Sequence, residues 1–210
     1  MKKHKWEKAW EDKKFSIETL VPSVLVSKYQ NKLLTDDYIL DVGCGNGRNS
    51  IYLAKRGVNV DCFDVIDLQW EENLPDDLRK RIHFRKTNLL EYPYKTSQYQ
   101  AVIVARVIQY LNLQELDFLI DKIRSALKPR GFLLLSYNTK GGIFNREEID
   151  VPTYSYTIEY IETLLKKVFR NVKVSEGSKK SRHVNYTDDI LTFDIFASDP
   201  HISFESPKWC

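Results

Sequence analysis

The stretch ILDVGCGNGRNSIYLA, Ile39 to Ala54, sets Gly43, Gly45 and Gly47 at alternate positions directly behind an apolar run that ends in an aspartate. A short apolar run bounded by turn residues reads as a strand, here Tyr38 to Val42. Asn46 to Lys55 reads as a helix, stopped by Gly57. Glycine permits positive φ and lets a neighbour approach the main chain, while free N–H groups at a helix start favour an anion. The competing reading is a tight turn that only lets strand and helix pack. Three spaced glycines favour a ligand.

Strand and helix patterns alternate outward from this unit. Asn59 to Phe63 reads as a strand ending at Asp64, and a polar segment with Pro75 leads through a short helix to a strand at Ile82 to Arg85. Ala101 to Ala105 is a continuous apolar run, as in a strand buried on both faces of a parallel sheet. Leu116, Leu119, Ile120, Ile123 and Leu127 form a helical stripe stopped by LKPRG, and a strand follows at Phe132 to Tyr137. Thr157 opens a helix through Phe169, and the last strands are Val172 to Ser175 and Ile190 to Ala197. The alternation predicts an α/β fold, a single doubly wound Rossmann-like domain over residues 36–200 with helices on both faces of the sheet. Residues 1–35 read as an N-terminal helical cap or lid, in which Leu25, Val26, Tyr29 and Leu33 share a face and Trp6 and Trp10 another. Residues 201–210 read as a tail.

The composition narrows the function classes. The 210 residues carry 32 basic and 29 acidic side chains, a net charge of +3 spread along the chain, which marks neither a nucleic-acid nor a membrane surface. Apolar residues make up 42%, the profile of a globular protein. The three cysteines, Cys44, Cys62 and Cys210, have neither metal-ligand spacing nor a secreted framework, and no metal site is expected. MKKHKWEKAWEDKK lacks the apolar core of a signal peptide, so a cytoplasmic location is expected.

Two acids sharpen the ligand. Asp64 lies 17 residues beyond Gly47, where a carboxylate accepts hydrogen bonds from ribose hydroxyls. Asp41 ends a buried strand and needs donors or a cation to offset its desolvation. The spacing is not that of the dinucleotide fingerprint G-x-G-x-x-G, because Arg48 stands where its third glycine would be.

DVGCGNG resembles motif I of the class I S-adenosylmethionine-dependent methyltransferases, and the resemblance extends over Tyr38 to Ser198. It implies S-adenosyl-L-methionine as cofactor, its methionine part lying over the glycines, and a mostly parallel seven-stranded sheet with an antiparallel strand at Ile190 to Ala197. It implies cofactor contacts from Asp41, Gly43, Gly45, Gly47, Arg48, Asp64, Val65, Asn88, Leu89, Ala105 and Arg106. Asn88 stands where the family usually has Asp, and would accept from the adenine amino group. Gln109 and Tyr110 would border the substrate mouth. LKPRGFLLLSY resembles the family's Leu-Lys-Pro-Gly-Gly turn, with Arg130 in place of one glycine. Gly-Arg-Asn followed by Tyr-Leu-Ala is most similar to the TehB-like and thiopurine small-molecule branch.

The expected reaction is methyl transfer to a small-molecule acceptor, by a monomer or homodimer. Methyl transfer to a good nucleophile needs alignment and desolvation, and a base only when a proton must leave. Arg106, Arg182 and His183 are the candidate catalytic residues, the last two on the loop before the final strand. For them the competing reading is a solvated hairpin tip. An RNA or protein methyltransferase and a non-catalytic cofactor-binding module are the alternative functions.

Overall fold

A computed structural model describes residues 21–139, 152–176 and 192–201. Its seven strands are β1 Tyr38–Val42, β2 Asn59–Asp64, β3 Ile82–Lys86, β4 Tyr99–Ala105, β5 Leu127–Asn138, β6 Phe169–Glu176 and β7 Thr192–Pro200. They form one sheet in the order β3-β2-β1-β4-β5-β7-β6. The first five pair in parallel, while β7 runs antiparallel between β5 and β6. This is the mostly parallel, seven-stranded Rossmann-like sheet expected from the sequence.

Among the described residues five α-helices cover it: α1 Val24–Tyr29, α2 Arg48–Ala54, α3 Asp76–Arg79, α4 Leu113–Ala126 and α5 Ile158–Lys166. Strand alternation divides the core into two layers. Leu40, Val102, Val104, Leu133 and Leu135 face α4 and α5, whose stripes include Leu116, Leu119, Ile123, Ile161 and Leu165. Ile39, Val60, Ala101, Ile103 and Leu134 face Leu25 and Val26 of α1 and Ile51 and Leu53 of α2. A capping box fixes the start of α4: Asn112 Oδ1 accepts from Glu115 N–H while the Glu115 carboxylate accepts from Asn112 N–H, both at 2.9 Å.

Local departures from the sequence reading have identifiable causes. Phe169 opens β6, and α5 stops at Lys166. Phe169 is buried in either arrangement, so its hydrophobicity did not choose between them. LKPRG is part of β5: Tyr99 pairs with Leu127 and Ala101 with Phe132, so Lys128 to Gly131 bulge out of the ladder. The helix over α1 gives way to a 3-10 turn at Gln30–Lys32, and Tyr29 stacks on Phe196 of β7 at 4.6 Å between ring centroids. Of the expected cap, the described part is thus docked on the sheet.

Candidate functional site

The glycine loop turns out of β1 at the carboxyl edge of the sheet. Gly43, Gly45 and Gly47 all have positive φ, at 64°, 55° and 72°. Gly47 N–H donates to Cys44 O at 3.0 Å, and Gly47 then serves as the left-handed N-cap of α2. Two of the glycines are demanded by protein neighbours. A Cβ at Gly43 would stand 2.6 Å from Val107 Cγ2, and one at Gly47 would stand 2.7 Å from three ring atoms of Trp70. Side-chain packing in the Cβ direction therefore already requires glycine at those two positions, whatever lies over their main chain. Cys44 is buried beside Cys62, and burial and that neighbour push its thiol upward, which suits a space-filling role.

Asp64, at the end of β2, ties down the loop. Its Oδ2 accepts from Gly45 N–H at 2.8 Å and its Oδ1 from Ile66 N–H at 3.2 Å, with Val65 N–H as a further donor. Burial pushes this carboxyl up, against the pull of those three N–H groups. A carboxylate offers about four acceptor positions, so about one remains for a ligand hydroxyl. Asp41 is 1% exposed, and Ser50 Oγ donates to its Oδ2 at 2.7 Å. Burial pushes the Asp41 carboxyl up to about 7, while Ser50 and the Arg48 charge pull it down. The donor that the sequence left unnamed is Ser50, on the first turn of α2.

Asn88 follows β3, and its Oδ1 accepts from Leu90 N–H at 2.9 Å and Glu91 N–H at 3.1 Å. Both acceptor positions are spent on the turn. What Asn88 presents is its amide NH2 group, a donor, which corrects the expected acceptor role toward an adenine amino group. Leu89 packs at the margin of the α4 layer.

At the end of β4, Arg106 takes φ 61° and its N–H donates to Ser136 O at 2.7 Å. Gln109 is fully buried: its Nε2 donates to Arg106 O at 2.9 Å, its backbone O accepts from Tyr154 N–H at 2.7 Å, and its Oε1 has no partner among the described residues. Burial pushes the Tyr110 hydroxyl up to about 12, against a Gln109 hydrogen bond and the Arg106 charge. Tyr156 O–H donates to Leu111 O at 2.6 Å and so packs the mouth.

Register adds a residue that the sequence reading missed. Ala105 pairs with Ser136, and Ser136 pairs with Asp194 of β7, on the sheet face covered by α1 and α2. Burial pushes the Asp194 carboxyl up, while Arg106 and Lys28 pull it down. Only the strand order brings residue 194 beside residue 106, so local sequence held no signal for it. Arg182 and His183 lie outside the described residues, as do Trp6 and Trp10. β6 runs parallel to β5, so the chain leaves it from the carboxyl edge, where the glycine loop also lies.

Residues 39–131, from β1 into β5, match the family model described as a methyltransferase domain. That segment is similar to a methyltransferase domain. The chain's fold matches the Burkholderia thailandensis 1,6-didemethyltoxoflavin-N1-methyltransferase with a TM-score of 0.70 and 16% identity, covering 93% of this chain and 83% of that one. It also matches a sarcosine dimethylglycine methyltransferase from Galdieria sulphuraria at a TM-score of 0.65 and 14% identity, over 83% of each chain. Among curated relatives, the ribosomal protein L11 methyltransferase of Campylobacter concisus is 29% identical over 66% of this chain and 45% of its own length. The TehB methyltransferase of Haemophilus influenzae is 22% identical over 75% of this chain and 54% of its own. The chain thus spans about half the length of these relatives. Among the described residues, no helix is long and apolar enough to cross a membrane.

Proposed function

We propose that the chain transfers a methyl group from S-adenosyl-L-methionine to a small-molecule acceptor. The carrying observation is that Asp64 holds Gly45 N–H at 2.8 Å, which joins the left-handed loop and the carboxylate after β2 into one cradle at the sheet's carboxyl edge. The residues fit the cofactor. Asp64 keeps acceptor capacity for a ribose hydroxyl, and a second hydroxyl would displace one of its backbone donors. Asn88 Nδ2 would donate to an adenine ring nitrogen, with Val65 and Leu89 against the ring. Asp41 and Arg48 would supply charge of both signs to the amino-acid end, with Ala105 alongside. When bound, S-adenosyl-L-methionine supplies an electrophilic methyl carbon on a sulfonium.

The remaining work is positioning and desolvation. Arg106, held by Ser136 O, would orient an anionic group of the cofactor or the acceptor. The chain that leaves β6 at this edge carries Arg182 and His183, which we assign to acceptor binding and proton removal. Similarity to the L11 methyltransferase supports a second reading, a protein acceptor. Calorimetric titration with S-adenosylmethionine, S-adenosylhomocysteine and NAD tests the cofactor. Micromolar-range binding of the first two and none of NAD supports the proposal; binding of NAD alone overturns it. Methylation of proteins but of no compound in a small-molecule panel would favour the second reading.

A further inference from the structure

We infer that Asp194 binds the donor hydrogen of the methyl acceptor, so that this site takes an amine or a hydroxyl compound. This rests on the methyltransferase reading above. The pairing Ala105, Ser136, Asp194 runs as one row across β4, β5 and β7, and the same row carries the end of β4 that opens into Arg106. Asp194 is only partly buried, whereas Ile195 and Ala197 beyond it are fully covered. Its main chain is occupied by the ladder and by Ser175 Oγ, which donates to Asp194 O at 3.4 Å. Among the described residues no hydrogen bond reaches its carboxylate. Arg106 and Lys28 are the cations that face it, and burial outweighs both of them.

A partly exposed carboxylate with no described protein donor keeps its acceptor positions open to a ligand N–H or O–H. A methyl acceptor with an N–H or O–H fills them at the place where its heavy atom must be held for transfer. A carboxylate or another anion in that place would be repelled. Arg106, whose charge reaches Asp194, suits an anionic group elsewhere on the acceptor. An acceptor carrying an amine or hydroxyl at one end and an anionic group at the other satisfies both.

The test uses two ligands of known chemistry on the full chain. S-adenosylhomocysteine is neutral at sulfur, and sinefungin carries a protonated amine where the transferred methyl group would stand. Wild type should bind sinefungin more tightly than S-adenosylhomocysteine. Asp194→Asn should lose roughly ten-fold or more in sinefungin affinity with little change for S-adenosylhomocysteine, and Asp194→Glu should restore part of the preference. A purely structural carboxylate would change the melting temperature of Asp194→Asn but leave the ratio of the two affinities untouched, and that result overturns the inference. Failure of wild type to bind S-adenosylhomocysteine at all would instead overturn the methyltransferase reading beneath it.

Discussion

Ser50 Oγ donates to Asp41 Oδ2 across 2.7 Å, and neither residue is more than 1% exposed. One hydroxyl does not replace the water a carboxylate loses, so the Asp41 carboxyl is pushed from 3.8 up to about 7. The folded chain therefore holds this proton at pH values where the unfolded chain has released it. That stabilisation is complete below pH 3.8 and is lost as pH rises through about 7. Asp41→Asn should flatten this part of the profile, by an amount on the order of a few kcal/mol between the two ends. Urea unfolding at a series of pH values measures it. Ser50→Ala should cost about 1–3 kcal/mol near neutral pH, because it strips the only side-chain donor described for the carboxylate.

The ionised form of Asp41 is also the one a sulfonium would favour. Binding of S-adenosylmethionine should release protons in the window just below pH 7, and S-adenosylhomocysteine should release fewer. Calorimetry in two buffers of different ionisation enthalpy counts them. Equal proton release for both ligands would separate Asp41 from the charge at sulfur.

Gly47→Ala should destabilise the fold by roughly 2–4 kcal/mol. It meets the Trp70 ring at 2.7 Å and forces a side chain to φ 72°. Trp70→Leu opens that space, so the double variant should be less damaged than the sum of the two, with a coupling of about 1 kcal/mol or more. Strict additivity would mean that the indole gives way freely.

Asp64→Ala should weaken S-adenosylhomocysteine roughly 10- to 100-fold, since it removes both the proposed ribose partner and the anchor of Gly45 N–H. Gly45→Val should abolish binding. Unchanged affinity in both variants would remove the loop from the site.

Asn88→Asp should weaken S-adenosylhomocysteine by roughly three- to ten-fold. An aspartate keeps the two turn hydrogen bonds from Leu90 and Glu91 but has no amide to donate to an adenine ring nitrogen. Tighter binding in this variant would show that the position acts as an acceptor toward the adenine amino group.

Arg130→Gly should stabilise the protein by about 0.5–1 kcal/mol. Arg130 sits at φ 67° in the β5 bulge, exposed, where a Cβ is strained and glycine is not. Thermal melting distinguishes this from the loss expected if the side chain made a needed contact.

What could be read beforehand follows from the range of the interaction concerned. β1, the loop and α2 are contiguous, and their apolar, glycine and capping signals overlap within the 17 residues from Tyr38 to Ala54, so the fold and the Asp41, Gly45 and Asp64 frame were legible. Asp194 was not, because its neighbours Ser136 and Arg106 reach it only through the β4-β5-β7 order. Asn88 was legible as a position and misread in chemistry, since its oxygen is claimed by amides two and three residues ahead, a competition visible only in three dimensions. The crowding of Gly47 by Trp70 is likewise a contact between segments 23 residues apart.

The position of β7 has a bearing on how the chain is made. β7 lies between β5 and β6 in the sheet, although both precede it in sequence. During synthesis the outer edge of β5, with Leu133 and Leu135, has no lasting neighbour until residues 192–200 emerge from the ribosome. An open strand edge of this kind attracts other chains. Newborn molecules stalled or truncated before Thr192 should therefore be the ones that associate and that holding chaperones retain.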